Sequence, residues 1–225
     1  MRPRGVVFSF GLILRSLPLL LQGAVMTAFV SLLAVAIGFC IGTLVCLCRL
    51  SREAALRRFG ALYVSFFRGV PLLVQLLLIY YLLPHAGINV PSIVAAVGSL
   101  ALCTAAYIAE ILRGGFLGLP RGQTESAVML GLSRWQTSAR ILVPQAVRLT
   151  LPALVNETIM LLKSSSLISV VGVAELTRTS QNIATSTYRP LEIYVAAGAV
   201  YLAINGCLAL LGGLLERRLA RAPLR

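Results

Sequence analysis

The chain has 225 residues, 58% of them hydrophobic and only 12% charged, with a formal net charge of +13. Soluble domains carry about 25% charged residues, and mean hydropathy here is +0.90, so a chain of this size cannot enclose its apolar surface and its solvent is a lipid bilayer. The arginines cluster between apolar runs with no interleaved exposed aromatics, so the basic balance reads as membrane topology and not as nucleic-acid binding.

Ser16 to Cys48 carries no charge, more than the roughly 20 residues one crossing needs. Pro18 and Gln22-Gly23 place the start of that run at the interface, so the first span is expected over about 23–47. A second uncharged run, Gly69 to Ala109, is broken by turn chemistry at 84–91. It yields two spans, about 63–83 and 92–112. The fourth is expected over about 149–173, with polar interruptions, and the fifth over about 191–215. Arg2 and Arg4 ahead of an apolar run resemble a leader segment, but Arg15 interrupts the run and no small-residue cleavage site is evident.

Five spans place the termini on opposite sides. Arg49, Arg52, Arg57, Arg58, Arg68, Arg113, Arg121, Arg134, Arg140, Arg148, Arg217, Arg218, Arg221 and Arg225 then share one side. Arg2, Arg4, Arg15, Arg178 and Arg189 share the other. Positive residues favour the cytoplasm, so the segment at about 121–148 and the C-terminus are expected inside and the N-terminus outside.

Enzymatic chemistry finds no support. The chain has no Asp, its single histidine, His85, sits in a predicted turn, and its single lysine, Lys163, follows Leu162, so no phosphate-binding Gly-Lys-Ser/Thr loop can form. The five cysteines lie within apolar runs without metal-ligand spacing. No metal and no cofactor is expected.

The segment at 121–148 is unlike its surroundings. Pro120-Arg121-Gly122 signals a turn, Thr124 is a candidate cap, and Glu125 would then occupy the first turn of a short helix. Gly131 supplies a C-terminal stop. Ser133 with Gln136 three residues on has capping-box form, opening a second short helix expected to end near Pro144. Ala127, Leu130, Leu132 and Trp135 gather at the corner. Apolar groups at a charged corner point to a protein contact; an interfacial helix pair lying on lipid is the alternative.

Glu125-Ser126-Ala127, then Gly131, then Ile141-Leu142-Val143-Pro144 resembles the EAA motif of ABC importer permeases: Glu-Ala-Ala, three residues, Gly, nine residues, Ile-x-Leu-Pro. Ser126 and Val143 depart from it. The segment from Tyr63 to Gln75, with Phe67-Arg68-Gly69-Val70-Pro71-Leu72, resembles a second motif of the polar amino acid permeases, the histidine/glutamine/arginine/cystine type. So do Ala106 to Gly114, Pro144-Gln145-Ala146, Lys163 to Leu167 and Gly172 to Leu176. Val70, Ser164 and Ser165 stand where Thr, Asp and Thr are usual. The resemblance covers about Leu17 to Leu215. It implies an all-α, five-span type I importer permease in a bacterial inner membrane, forming one domain over 1–225. It also implies that Glu125, Ser126, Ala127, Gly131, Leu132 and Trp135 couple to a cytoplasmic ATPase. The implied partners are two ATPase subunits, a second permease subunit, identical or homologous, and an extracytoplasmic binding protein that delivers an amino acid. An ATP-independent carrier or channel is the rival; an inverted repeat would favour a carrier, and none is evident.

Polar groups inside the expected spans are candidates for the solute path: Glu110 in the third, and Asn156, Glu157, Lys163, Ser164, Ser165 and Ser166 in the fourth. A charge at mid-membrane costs about 2.5–3.5 kcal/mol on insertion scales, so such groups face protein or water. They either line a solute cavity or tie helices together, Lys163 pairing with Glu110 or Glu157. Six residues separate Glu157 from Lys163, so a straight helix turns them to different faces. The serine run can loosen the helix by bonding to backbone carbonyls.

Overall fold

The computed structural model describes residues 8–221, with side chains as far as Arg218. Arg2, Arg4 and Arg225, part of the arginine asymmetry, lie outside the described residues, as does the side chain of Arg221. No strand occurs among the described residues. The helices are α1 (Phe10–Leu50), α2 (Ala54–Gly69), α3 (Leu72–His85), α4 (Ser92–Leu117), α5 (Arg121–Met129), α6 (Arg134–Thr137), α7 (Val143–Ser164), α8 (Leu176–Thr187) and α9 (Pro190–Arg221). Four helical runs are long and apolar enough to cross a membrane, and the pair α2–α3 makes a fifth if taken as one bent span.

The expected spans need correction in four places. The helix containing the first span begins at Phe10, capped by the Ser9 hydroxyl, and passes through Pro18 unbroken. Its 41 residues reach about 60 Å at 1.5 Å per residue, twice the hydrocarbon thickness of about 30 Å. The extra length is occupied by packing: Leu20 and Ala24 join Leu176, Ile183, Ala184 and Ile193 in one buried cluster with α8 and α9. The second span is not straight; α2 and α3 meet at 104°. The helix opened by Ser133 does not stop near Pro144. A π turn over Ser138–Leu142 joins α6 to α7, with the Val143 N–H bonded to the Ser138 carbonyl five residues back. The wide turn gives the proline ring, which cannot donate, a place in a continuous helix. Finally, α8 has no counterpart among the expected elements, because its polar, Thr- and Ser-rich sequence carries no span signal.

The principal packing joins α1 to α4. Ala34, Ala101 and Leu100 are buried with Val30 and Leu76 in one cluster, and Val45, Cys46, Ala106 and Ile108 in another. Small residues let the two backbones approach, as lipid-embedded helices require when apolar transfer gives no drive to associate. A Cβ at Gly38 would lie 3.0 Å from the Ala101 carbonyl oxygen, and one at Gly42 2.7 Å from that of Ala105.

At the other end of the bundle Glu175 is fully buried. It caps α8, accepting from the Arg178 N–H at 2.7 Å and the Thr177 N–H at 2.9 Å. Its Oε2 also accepts from the Tyr201 hydroxyl at 2.9 Å and from Thr27 at 3.4 Å, while Thr27 accepts from the Leu176 N–H. One carboxyl thereby ties α1, α8 and α9. Burial raises its pKa above the usual carboxylate value, and the N–H and hydroxyl donors oppose that rise.

Gly42→Leu should therefore lower the thermal midpoint of the purified protein by the equivalent of about 1–3 kcal/mol of overpacking. Gly98→Ala, where a Cβ meets nothing within 4 Å, should leave the midpoint unchanged or raise it. Equal midpoints for Gly42→Leu and the parent would contradict the close α1–α4 approach.

Candidate functional site

The bend between α2 and α3 organises the site. Pro71 cannot donate and holds Val70 extended, at φ −96° and ψ 133°. The break leaves carbonyl groups without their helical partners. Gln75, only 2% exposed, answers this: its Nε2 donates to the Phe67 carbonyl at 2.9 Å and to the Val70 carbonyl at 2.7 Å. Non-helical backbone survives at membrane depth only with such internal partners.

Around the break lies a cavity of about 360 Å³. Residues 67–72 form one wall, Cys103, Thr104 and Tyr107 of α4 another, and Glu157, Met160, Leu161 and Ser164 of α7 the third. The Arg68 guanidinium stands over the Tyr107 ring, 5.1 Å from its centroid, a cation–π placement. Arg68 and Glu157 make no ion pair with each other, so the cavity offers one charge of each sign between largely apolar walls.

The sequence-predicted residues divide among different places. Glu157 and Ser164 line this cavity. Asn156 is exposed and does not line it. Lys163 opens onto a separate cavity of about 440 Å³ with Ser166, Tyr201 and Asn205; the six-residue spacing does turn it away from Glu157. Ser165 is buried and donates to the Leu162 carbonyl at 2.7 Å. Ser164 and Ser166 likewise donate to carbonyls within the turn before them, where α7 gives way to a 3₁₀ segment over Ser165–Val171. Glu110 pairs with neither Lys163 nor the cavity. It holds Arg113 at 2.6 Å and Arg49 at 3.1 Å, joining the end of α1 to α4. Arg68, counted in the sequence only among the cytoplasmic-side arginines, stands at the helix break and lines the same cavity as Glu157. The signal lies in Phe67-Arg68-Gly69-Val70-Pro71, where the charge precedes the proline that breaks the helix.

In the segment at 121–148, Pro120 precedes the first turn of α5 and no side chain caps it, so Thr124 and Glu125 lie within the helix, past its start. The expected cap at Thr124 is incorrect, because Pro120 already opens the helix at Arg121. The stop is as expected. Gly131 adopts φ +72°, its N–H bonds to the Val128 carbonyl, and the Leu132 N–H bonds to the Ala127 carbonyl, which is a Schellman ending. Both capping-box bonds of Ser133 and Gln136 form. Ala127 is buried, while Met129 is 90%, Leu130 76% and Trp135 79% exposed. Glu125 and Ser126 are exposed and Leu132 is half-buried.

Residues 34–221 match the family described as binding-protein-dependent transport system inner membrane component. The chain belongs to this family. It is a multi-pass inner-membrane permease component, and ATP hydrolysis in such importers resides in separate subunits. It is 38% identical over 214 residues to the glutamine transport system permease protein GlnP of Escherichia coli K12, covering 94% of this chain and 98% of that one. It is 34% identical to the arginine transport system permease protein ArtQ of Bacillus subtilis, covering 93% and 96%. A crystal structure of an amino acid ABC transporter with histidines superposes with a TM-score of 0.88 at 38% identity, covering 93% of this chain and 98% of that one. The MetNI methionine ABC transporter, at 21% identity and a TM-score of 0.71 over 94% of this chain and 98% of that one, shares the fold.

Gln75→Leu removes both Nε2 hydrogen bonds from the break, leaving the Phe67 carbonyl only the weak Cys103 thiol donor at 3.6 Å. The unpaired Val70 carbonyl alone should cost roughly 1–3 kcal/mol, read as a lower thermal midpoint in detergent, with Val74→Ala close to the parent. A Gln75→Leu protein as stable as the parent would show that the break does not depend on this side chain.

Proposed function

We propose that this chain carries a polar amino acid into the cytoplasm as the permease of an ATP-driven importer, with the cavity at the α2–α3 break as its solute site. The observation that carries the reading is the pairing of Arg68 and Glu157 on one intramembrane cavity. A zwitterion entering lipid needs an anion for its α-ammonium and a cation for its α-carboxylate. Glu157 and Arg68 supply them, Arg68 taking the part that Lys163 cannot reach. With both backbone charges of the solute answered, the cavity has no cation left for an acidic side chain, so neutral-polar or cationic amino acids are favoured over acidic ones. Relatives named for glutamine, arginine and octopine transport support this class.

The assembly proposed contains a second permease subunit, two ATPase subunits and an extracytoplasmic binding protein. The exposed corner formed by Glu125, Ser126, Leu132 and Trp135, closed by Gly131 over buried Ala127, is the surface that meets the ATPase. Met129 and Leu130 extend its apolar area. The N-terminus lies outside and the C-terminus in the cytoplasm. Removing Arg68 from the arginine asymmetry leaves it strongly one-sided.

Glu157→Gln keeps the shape of the side chain and removes its charge. Uptake of the solute and solute-stimulated ATP hydrolysis in reconstituted vesicles should fall at least tenfold, the scale of one lost charge-assisted contact of about 1.5–3 kcal/mol, with the complex still assembled. Undiminished uptake, or a parent preference for glutamate or aspartate, would reject this solute site.

Orientation has its own test. A cysteine at Gln136 should react with an impermeant thiol reagent only from the cytoplasmic side, and one at Thr187 only from outside. Labelling of both from one side would reject the topology.

A further inference from the structure

A third cleft, of about 670 Å³, opens where the end of α4, the start of α7 and the end of α9 converge. Leu119, Pro120 and Leu149 give it apolar walls, and Arg148, Arg217 and Glu216 give it charge. Arg148 is half-buried and Arg217 exposed, and neither guanidinium has an ion-pair or hydrogen-bond partner among the described residues. This contrasts with Arg49 and Arg113, whose charges Glu110 answers. The cleft adjoins the turn that leads into α5, at the end of the bundle proposed above to face the cytoplasm, and the inference rests on that orientation.

From this combination we infer that the cleft is a binding site for an anionic glycerophospholipid of the cytoplasmic leaflet. Two guanidinium groups offer forked donors to a phosphodiester. The apolar wall takes the first part of an acyl chain. The single carboxylate, Glu216, accepts from a hydroxylated headgroup such as glycerol. Two cations against one anion leave the cleft net positive, which favours a net-negative lipid over a zwitterionic one. Basic pockets between helices at the cytoplasmic face bind lipid headgroups by this chemistry. A lipid seated there braces the Gly118–Pro120 turn from which α5 projects.

The test uses the assembled transporter, purified with its ATPase subunits and exposed to phosphatidylglycerol in a phosphatidylcholine background, with bound lipid counted by native mass spectrometry. The R148Q/R217Q protein should bind phosphatidylglycerol about 25-fold more weakly, since each charge at an anionic leaflet is worth about fivefold. R52Q/R58Q, which removes two exposed arginines away from the cleft, should bind as the parent does. Equal binding by the parent and R148Q/R217Q would overturn the inference. An equal loss in R52Q/R58Q would reduce it to general surface charge. Displacement of the lipid by millimolar inorganic phosphate would make this a soluble-anion site, and protection of the cleft by the ATPase subunit with no lipid retained would make it a protein contact; either overturns the inference. Normal amino-acid uptake without lipid retention would refute the lipid site and leave the transport reading standing, whereas retained lipid with Glu157→Gln uptake unchanged would do the reverse.

Discussion

Everything distinctive about this membrane protein follows from one requirement: backbone polar groups in hydrocarbon must find partners within the protein. A straight helix meets it automatically, and most of the chain is straight helix. The break at Val70-Pro71 is the exception. It persists because one buried side chain, Gln75, bonds to the carbonyls of both Phe67 and Val70. The irregular backbone so protected makes a wall of the cavity and places Arg68 and Glu157 on the same space. Without the break, α2 and α3 would form one rod and the cavity would lose that wall.

The same requirement sorts the charges. Seven side-chain carboxylates occur in the chain; Glu216 lines the cleft at the end of α9, and the four that sit deeper in the helices behave differently from one another. Glu110 is matched by two arginines and fixes α1 to α4. Glu175 is matched by backbone N–H groups and hydroxyls and fixes α8 to α1 and α9. Glu192, 1% exposed, takes Arg189 at 3.0 Å. Glu157 lacks such a partner and faces open volume. A buried charge already paired is a structural device, since removing one partner strands the other. One left facing a cavity is available to a solute. This contrast singles out Glu157 for the proposed solute site and leaves Glu110, paired with Arg49 and Arg113, as a tie between α1 and α4.

The corner at Gly131 follows a related logic outside the lipid. The Schellman ending and the capping box satisfy nearly every orphan group at the α5–α6 junction from within. The corner therefore holds its shape without a partner, and Met129, Leu130 and Trp135 are displayed to the surroundings. The π turn before Pro144 then transmits the corner directly into α7, the helix that bears Glu157. A continuous helical run from Arg134 to Val171, passing through the π turn and ending in the 3₁₀ segment, links the displayed surface to the cavity wall.

The sequence by itself determined the solvent, the approximate spans and the local chemistry of the corner. Uncharged runs, the Gly131 stop and the Ser133–Gln136 box act within a few residues, so their outcome is written where they stand. It also carried the family motifs, including the one that contains Arg68. Tertiary structure decided what those residues face. Arg68 stands among apolar neighbours inside the expected second span and counts toward the cytoplasmic arginines, but the bend at Pro71 places it on the cavity shared with α4 and α7. Lys163 looked like a partner for Glu157 or Glu110, but helix rotation and the arginines Arg49 and Arg113 settle otherwise. The helix α8 carries a buried face at helical spacing, Leu176, Ser180, Ile183 and Ala184, but it is too short and polar for a span, and only the packed bundle shows that this face and the cap Glu175 meet α1 and α9. Local rules fix where a helix ends; only the packed bundle fixes which charges share a cavity, since that depends on distances between residues far apart in the chain.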